Sequence, residues 1–207
     1  NWVEIWNDVF MQYYKKADGS FELLKQQNVD TGMGLERTLA VLNGTDDDYQ
    51  TDLFLPIIEK LTEQTGKKYV DHKKEFRIIS DHIKAATFLI KDGVIPGNKR
   101  QSHVLRRLLR RSAIKLRQLN IKATAAFIHN SISKIVGIYL DGGTNYFAKG
   151  DQIKIPNMVF DELLKFQKTI DNGLAKISGA EASEITPEFA FNLYQSYGFP
   201  IEITEEL

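Results

Sequence analysis

Near Asn43 the hydrophobic period of the chain changes, which restricts it to folds in which a short β-rich piece precedes a helical one. In residues 1–15, Val3, Ile5, Val9, Met11 and Tyr13 face one way and Glu4, Asp8 and Gln12 the other. That alternation is the period of a strand. Ala17-Asp-Gly-Ser20 predicts a turn and Phe21 to Leu24 a returning strand, giving an antiparallel hairpin, with a third strand approaching Asp30. From Leu35 to Leu42 the pattern is helical and stops at Asn43-Gly44, residues suited to a helix C-terminus. Beyond the acidic loop Asp46-Asp-Asp48 it stays helical. Thr51 or Asp52 is expected to cap a helix carrying Phe54, Ile57, Ile58 and Leu61. Further helices are predicted over 75–91, 102–118, 122–140, 157–178 and 187–196, the last with Pro187 in its first turn after Thr186 as cap. Turns are expected at Gly66, from Gly93 to Gly97 and at Asp141-Gly-Gly143, and a short strand or loop from Asn145 to Pro156. The fold class is therefore α+β and predominantly helical, with a boundary between residues 45 and 46.

The junction of the two periods carries the first chemical signal. Asn28-Val-Asp-Thr-Gly-Met-Gly-Leu-Glu-Arg37 ends a predicted strand with two glycines and opens a helix. Gly32 and Gly34 would let backbone N–H groups approach a ligand, and the positive end of the helix dipole faces the same place. Arg37 adds a planar fork suited to phosphate. These residue types point to an anionic nucleotide. An ordinary glycine turn, with Arg37 paired to Glu36 or a neighbour, is the competing explanation.

The second signal is electrostatic. Net charge is zero, yet between Gly93 and Leu140 there is no Asp or Glu, while Lys99, Arg100, Arg106, Arg107, Arg110, Arg111, Lys115, Arg117, Lys122 and Lys134 are all cationic. Such segregation marks a surface for a polyanion, commonly nucleic acid. The helix from Ser102 would place Val104, Leu105, Leu108, Leu109, Ala113 and Leu116 on one side and Arg106, Arg107, Arg110 and Arg111 on another. A charged helix face is usually solvated, but usually of mixed sign. With no acid within reach along this helix, phosphate contacts are favoured.

Composition closes off other classes. At 207 residues and 43% hydrophobic the chain can bury a sizeable core. No run has the length of a membrane span, and the first residues do not follow the order of a signal peptide. The absence of cysteine excludes disulfides and thiolate zinc sites and fits a reducing compartment. His72, His82, His103 and His129 have no metal-ligand spacing, and no protein-bound metal is expected. A first residue that is not Met suggests a piece of a longer polypeptide, and the cytoplasm is the expected location.

Val29-Asp-Thr-Gly-Met-Gly-Leu-Glu-Arg37 resembles motif 3 of the class II aminoacyl-tRNA synthetases. Led by Glu4-Ile-Trp-Asn7, it is similar to the alanyl-tRNA synthetase family in particular. Ser80-Asp-His-Ile-Lys-Ala-Ala-Thr-Phe-Leu-Ile-Lys-Asp-Gly-Val-Ile-Pro-Gly-Asn98, Val104-Leu-Arg-Arg-Leu-Leu-Arg-Arg111 and Phe191-Asn-Leu-Tyr-Gln-Ser-Tyr-Gly-Phe-Pro200 follow the family in order. The resemblance implies that residues 1–45 are the last part of an antiparallel catalytic domain and 46–207 an all-α tRNA-recognition domain. The implied parent activity joins alanine to tRNA(Ala) with ATP and Mg2+. Motifs 1 and 2 are not recognised here, so the chain is expected not to form adenylate alone. A non-catalytic RNA-binding relative that has lost the chemistry is the alternative.

The resemblance also assigns roles. Asp30 would hold the α-amino group of alanine, with Asn7 and Trp6 beside it and Gly32 in the substrate site. Gly34 and Arg37 would contact ATP, Arg37 stabilising charge as pyrophosphate leaves. On tRNA, Asn98 would help read the G·U wobble pair of the acceptor stem, and Lys99, Arg100, Arg106, Arg107, Arg110 and Arg111 would grip phosphates. Without the resemblance, Asp30 reads as a turn residue and Asn7 and Trp6 as strand residues. The family pairs its asparagine with an aspartate where this chain has Gln195. Gln195 keeps an acceptor but lacks the charge, which implies weaker discrimination of the wobble pair. Gln195→Asp should raise the ratio of G·U to G·C hairpin affinity, and an unchanged ratio would count against that role.

Overall fold

The computed structural model describes residues 2–141 and 146–204. They form two compact units, Asn1–Leu55 and Pro56–Leu207.

The first unit is built on a hairpin. Strand β1, Trp6–Lys15, pairs antiparallel with β2, Phe21–Met33. The turn closes on Gly19, whose φ of 86° suits glycine. Asp18 accepts from the Ser20 hydroxyl at 2.7 Å and the Ser20 N–H at 2.9 Å, and these bonds hold its carboxyl below the ordinary value. The expected returning strand and third strand are one continuous strand. The break that the sequence suggests is a shift of register: Met11 pairs with Asn28 but Tyr13 with Leu23, so residues 24–27 lie opposite Gln12 alone. An insertion in one strand of an antiparallel pair bends the ladder without ending it.

Helix α1, Leu35–Leu42, follows at once and ends on Asn43, with Gly44 at φ 68° as the Asn-Gly signal predicts. The expected cap at Thr51 or Asp52 takes another form. Helix α2 runs over Leu55–Thr65, while the buried Thr51 hydroxyl donates back to the Asp48 carbonyl at 2.6 Å. Hydroxyl-to-backbone bonding of this kind competes with side-chain capping.

The second unit contains most of α2 and then α3 (Lys73–Lys91), α4 (Arg100–Gln118), α5 (Ala125–Asp141), α6 (Asp151–Ser178), α7 (Pro187–Tyr197) and α8 (Ile201–Thr204). Helix α3 packs on α4, and α6 on α5 and α4. The stripe predicted on α4 is narrower than expected: Leu105, Leu109 and Leu116 are buried but Val104 is exposed. Of the predicted turn at 141–143, the two glycines lie outside the described residues, as does Asn145. The rest of the segment read as strand or loop contains the start of α6, with Pro156 inside the helix. Proline there removes the N–H that would pair with the Gln152 carbonyl, but Ile155, Pro156 and Val159 are all buried. A bond from Lys91 Nζ to Asp151 at 2.7 Å ties the first turn to α3. Burial and this tie offset the lost bond.

A close contact fixes the end of the chain. Thr186 accepts the Phe189 N–H at 3.2 Å, Pro187 occupies the first turn, and Gly198 ends α7 at φ 67°. The chain then places Phe199 in a cluster with Ile114, Phe166, Ile170, Leu193 and Ile203. The ring fills the space above Gly173 on α6, where a Cβ would stand 2.0 Å from Phe199 Cδ2. Gly173→Ala should therefore cost about 1–3 kcal/mol by overpacking. Gly137→Ala in α5, where a Cβ meets nothing within 4 Å, should stabilise by about 0.4–1 kcal/mol. Denaturant unfolding of the two variants checks the contrast, and an undiminished midpoint for the first would contradict this account of Phe199.

Candidate functional site

The hairpin register decides which predicted substrate residues can act together. Asn7 lies opposite Gly32, and Val9 opposite Asp30. Cross-strand partners share a face, and the pleat alternates, so Asn7, Asp30 and Gly32 lie on one face. Trp6 is opposite Met33 and lies on the other face, where its indole N–H donates to the Thr31 hydroxyl. A Cβ on Gly32 would meet nothing within 4 Å, and its φ is outside the left-handed region. Neither backbone conformation nor packing among the described residues therefore requires glycine there.

The strand-to-helix junction is held by the segment before β1. The Gly34 N–H donates to the Ile5 carbonyl at 2.9 Å, and Arg37 Nη1 to the Glu4 carbonyl at 3.0 Å. This corrects one expectation: the Gly34 N–H is occupied by the protein. No side chain caps the N–H groups in the first turn of α1. One Nη of Arg37 is engaged, which fixes the exposed side chain at the hairpin base and leaves its other N–H donors without a partner among the described residues. Asn7 donates weakly to Glu4 at 3.4 Å. No group of three or more His, Cys, Asp or Glu among the described residues is placed to hold a metal.

In the second unit the basic helix lines a groove of about 750 Å³. Its walls include Asn98, Arg106, Arg107, Arg110 and Arg111, with Lys74 from α3, His103 and Lys115 from α4, Phe166 from α6, and Tyr194, Gly198 and Pro200 from the end of the chain. Six lining residues are Lys or Arg and none is acidic. Lys99 and Arg100 are exposed at the start of α4, and Gln195 is exposed on α7. These three are not among the lining residues.

An acid does reach this helix, from across the fold. Glu162 on α6 is buried, and its Oε1 accepts from Arg106 Nε at 3.1 Å and Arg110 Nε at 3.2 Å. Sequence distance hid it, since it lies 52 and 56 residues away. A usable signal existed: Glu162 interrupts the apolar stripe Ile155, Val159, Leu163, Phe166 and Ile170, all buried. Arg106 also donates to the Asn98 side-chain oxygen, so that acceptor is occupied. The Arg110 guanidinium lies 4.9 Å above the Phe166 ring. Burial and the neighbouring Arg106 cation pull Arg110 below its ordinary value, opposed by Glu162.

No helix among the described residues is long and apolar enough to cross a membrane. The family model described as tRNA synthetases class II (A) matches residues 1–207. An alanine–tRNA ligase of Borreliella afzelii is 44% identical over 100% of this chain and 36% of its own length. Those of Pediococcus pentosaceus and Mycoplasma genitalium are 38% and 37% identical over 99% and 100% of the chain and 24% of their own lengths. The chain thus spans about a quarter to a third of the relatives it matches. Because a Cβ on Gly32 would meet no atom of the described residues within 4 Å, Gly32→Ala should leave stability within about 0.5 kcal/mol of the parent, and a large fall in the denaturation midpoint would show that the fold itself needs the glycine.

Proposed function

The chain belongs to the class II tRNA synthetase (A) family, and from that premise we propose that it is the part of an alanine–tRNA ligase that joins the end of the aminoacylation domain to the tRNA-recognition domain. Its own task in this reading is to bind the acceptor stem of tRNA(Ala). The observation that carries it is the groove lined by six cations and no acid. Phosphate contacts of this kind position RNA and do not read its bases. The exposed Tyr194 and the amide nitrogen of Asn98, which has no partner among the described residues, are the groups suited to closer contact with bases.

For the parent enzyme the proposal is activation of alanine by ATP followed by transfer to the terminal ribose. The common face of Asn7, Asp30 and Gly32 supports assigning the amino acid there. The Asp30 carboxylate accepts from and pairs with the ammonium, and Gly32 leaves space above the strand. Arg37, pinned by Glu4, presents its remaining donors to phosphate and favours the charge that develops as pyrophosphate departs. When bound with ATP, magnesium neutralises phosphate charge.

Anisotropy with an alanine-tRNA acceptor hairpin tests the groove. Raising salt from 50 to 200 mM should weaken binding by about 10²- to 10³-fold, the loss expected for roughly five phosphate contacts, and replacing Arg107 and Arg111 by Ala should lower the log–log slope by about 2. Binding that ignores salt would sink the proposal. The same hairpin with G·C in place of G·U separates base reading from phosphate gripping.

A further inference from the structure

We infer that Glu162 is a specificity-determining positioning residue of the groove, fixing Arg106 and Arg110 so that they select a rigid duplex over a flexible strand. The inference rests on the RNA-binding reading above. Four arginines line the groove, but the structure divides them into two kinds. Arg107 and Arg111 are exposed, whereas the Arg106 and Arg110 side chains keep 23% and 26% of their accessibility. Both of these donate Nε–H to one oxygen of an acid whose side chain is only 8% accessible.

For Arg110 the constraint is two-sided. Glu162 holds the guanidinium at Nε and the Phe166 ring lies beneath it. These contacts leave the Nη groups with no acceptor among the described residues. A half-buried cation with unspent donors, fixed in orientation, is already organised for an oxyanion, so little side-chain freedom is lost on binding. Arg106 is fixed at Nε by Glu162 and at one Nη by Asn98, which leaves its second Nη toward the groove. Both Nε atoms lie against one oxygen, at 3.1 and 3.2 Å, so the two guanidinium groups are held side by side, close enough to engage neighbouring phosphates.

Glu162 is an unfavourable choice for affinity alone. It cancels one of the charges that would attract RNA, and burying it is costly unless it is paired. Its contribution is geometric. Two adjacent guanidinium groups repel, and without an acid between them they would separate and sample many rotamers. Exposed Arg107 and Arg111, with no ion pair among the described residues, can adapt to any polyanion. Fixed Arg106 and Arg110 reward only phosphates held at the matching spacing, as in an A-form stem.

The test compares an acceptor-stem hairpin with an unstructured single-stranded RNA of equal length and charge, by anisotropy at two salt concentrations. Glu162→Gln should lower the hairpin-over-strand affinity ratio by about three- to ten-fold, keep or raise affinity for the single strand, and steepen its salt dependence by up to about 1 in log–log slope. Arg110→Lys, which keeps the charge but has neither Nε nor a planar fork, should lower the same ratio, and by more than Arg107→Lys. If Glu162→Gln does not fold, the two lysine variants decide. Absence of hairpin binding by the unaltered chain would overturn the RNA reading and this inference with it. Hairpin binding with a ratio that Glu162→Gln and Arg110→Lys leave unchanged, whatever happens to the melting temperature, would overturn the role of Glu162 alone.

Discussion

The carboxylate of Glu162, buried on α6 and shared between Arg106 and Arg110 on α4, is the contact on which the second unit's basic groove depends. A helix with arginines at 106, 107, 110 and 111 has a charge problem before it has a function, because like charges one turn apart repel. One acid between the inner pair opposes that repulsion. It also brings α4 against α6, where Phe166 lies under Arg110 and belongs to the cluster that holds Ile114 and Phe199. Packing, charge balance and the arginine wall of the groove are therefore set at one place.

The far wall of that groove is fixed by the same helix, two turns beyond the cation–π contact. Gly173 leaves a notch for the Phe199 ring, and Tyr194, Gly198 and Pro200 are carried into the lining by the segment around it. Glycine in a helix interior costs about 1 kcal/mol relative to alanine. Here the loss is offset by a large aromatic side chain with no remaining exposure. Helix α6 thus positions arginines through an acid at one point and an aromatic wall through the absence of a side chain at another.

In the first unit the geometry comes from strand pairing. The register that sets Asn7 opposite Gly32 also sends Trp6 to the other face, although the two residues are adjacent in sequence. Arg37 reaches back 33 positions to the Glu4 carbonyl, so the residues before β1 define the base of the strand-to-helix junction. Neither relation could be read from the motif as a string, since a pleat and a backbone hydrogen bond are properties of paired strands.

By itself the sequence determined the class of fold, the hairpin turn at Gly19, the bounds of α1, the capped start of α7, and a basic segment free of acids. These rest on local physics: side-chain period, backbone freedom at glycine and proline, capping chemistry and charge, all legible within a few residues. Tertiary structure decided the register shift opposite Gln12, the start of α6 ahead of Pro156, the engagement of the Gly34 N–H, and which arginines an acid holds and which are left exposed. Each of these depends on a partner far along the chain. The energy of such a contact belongs to the pair once folding has brought it together, so neither partner's neighbours in sequence record it.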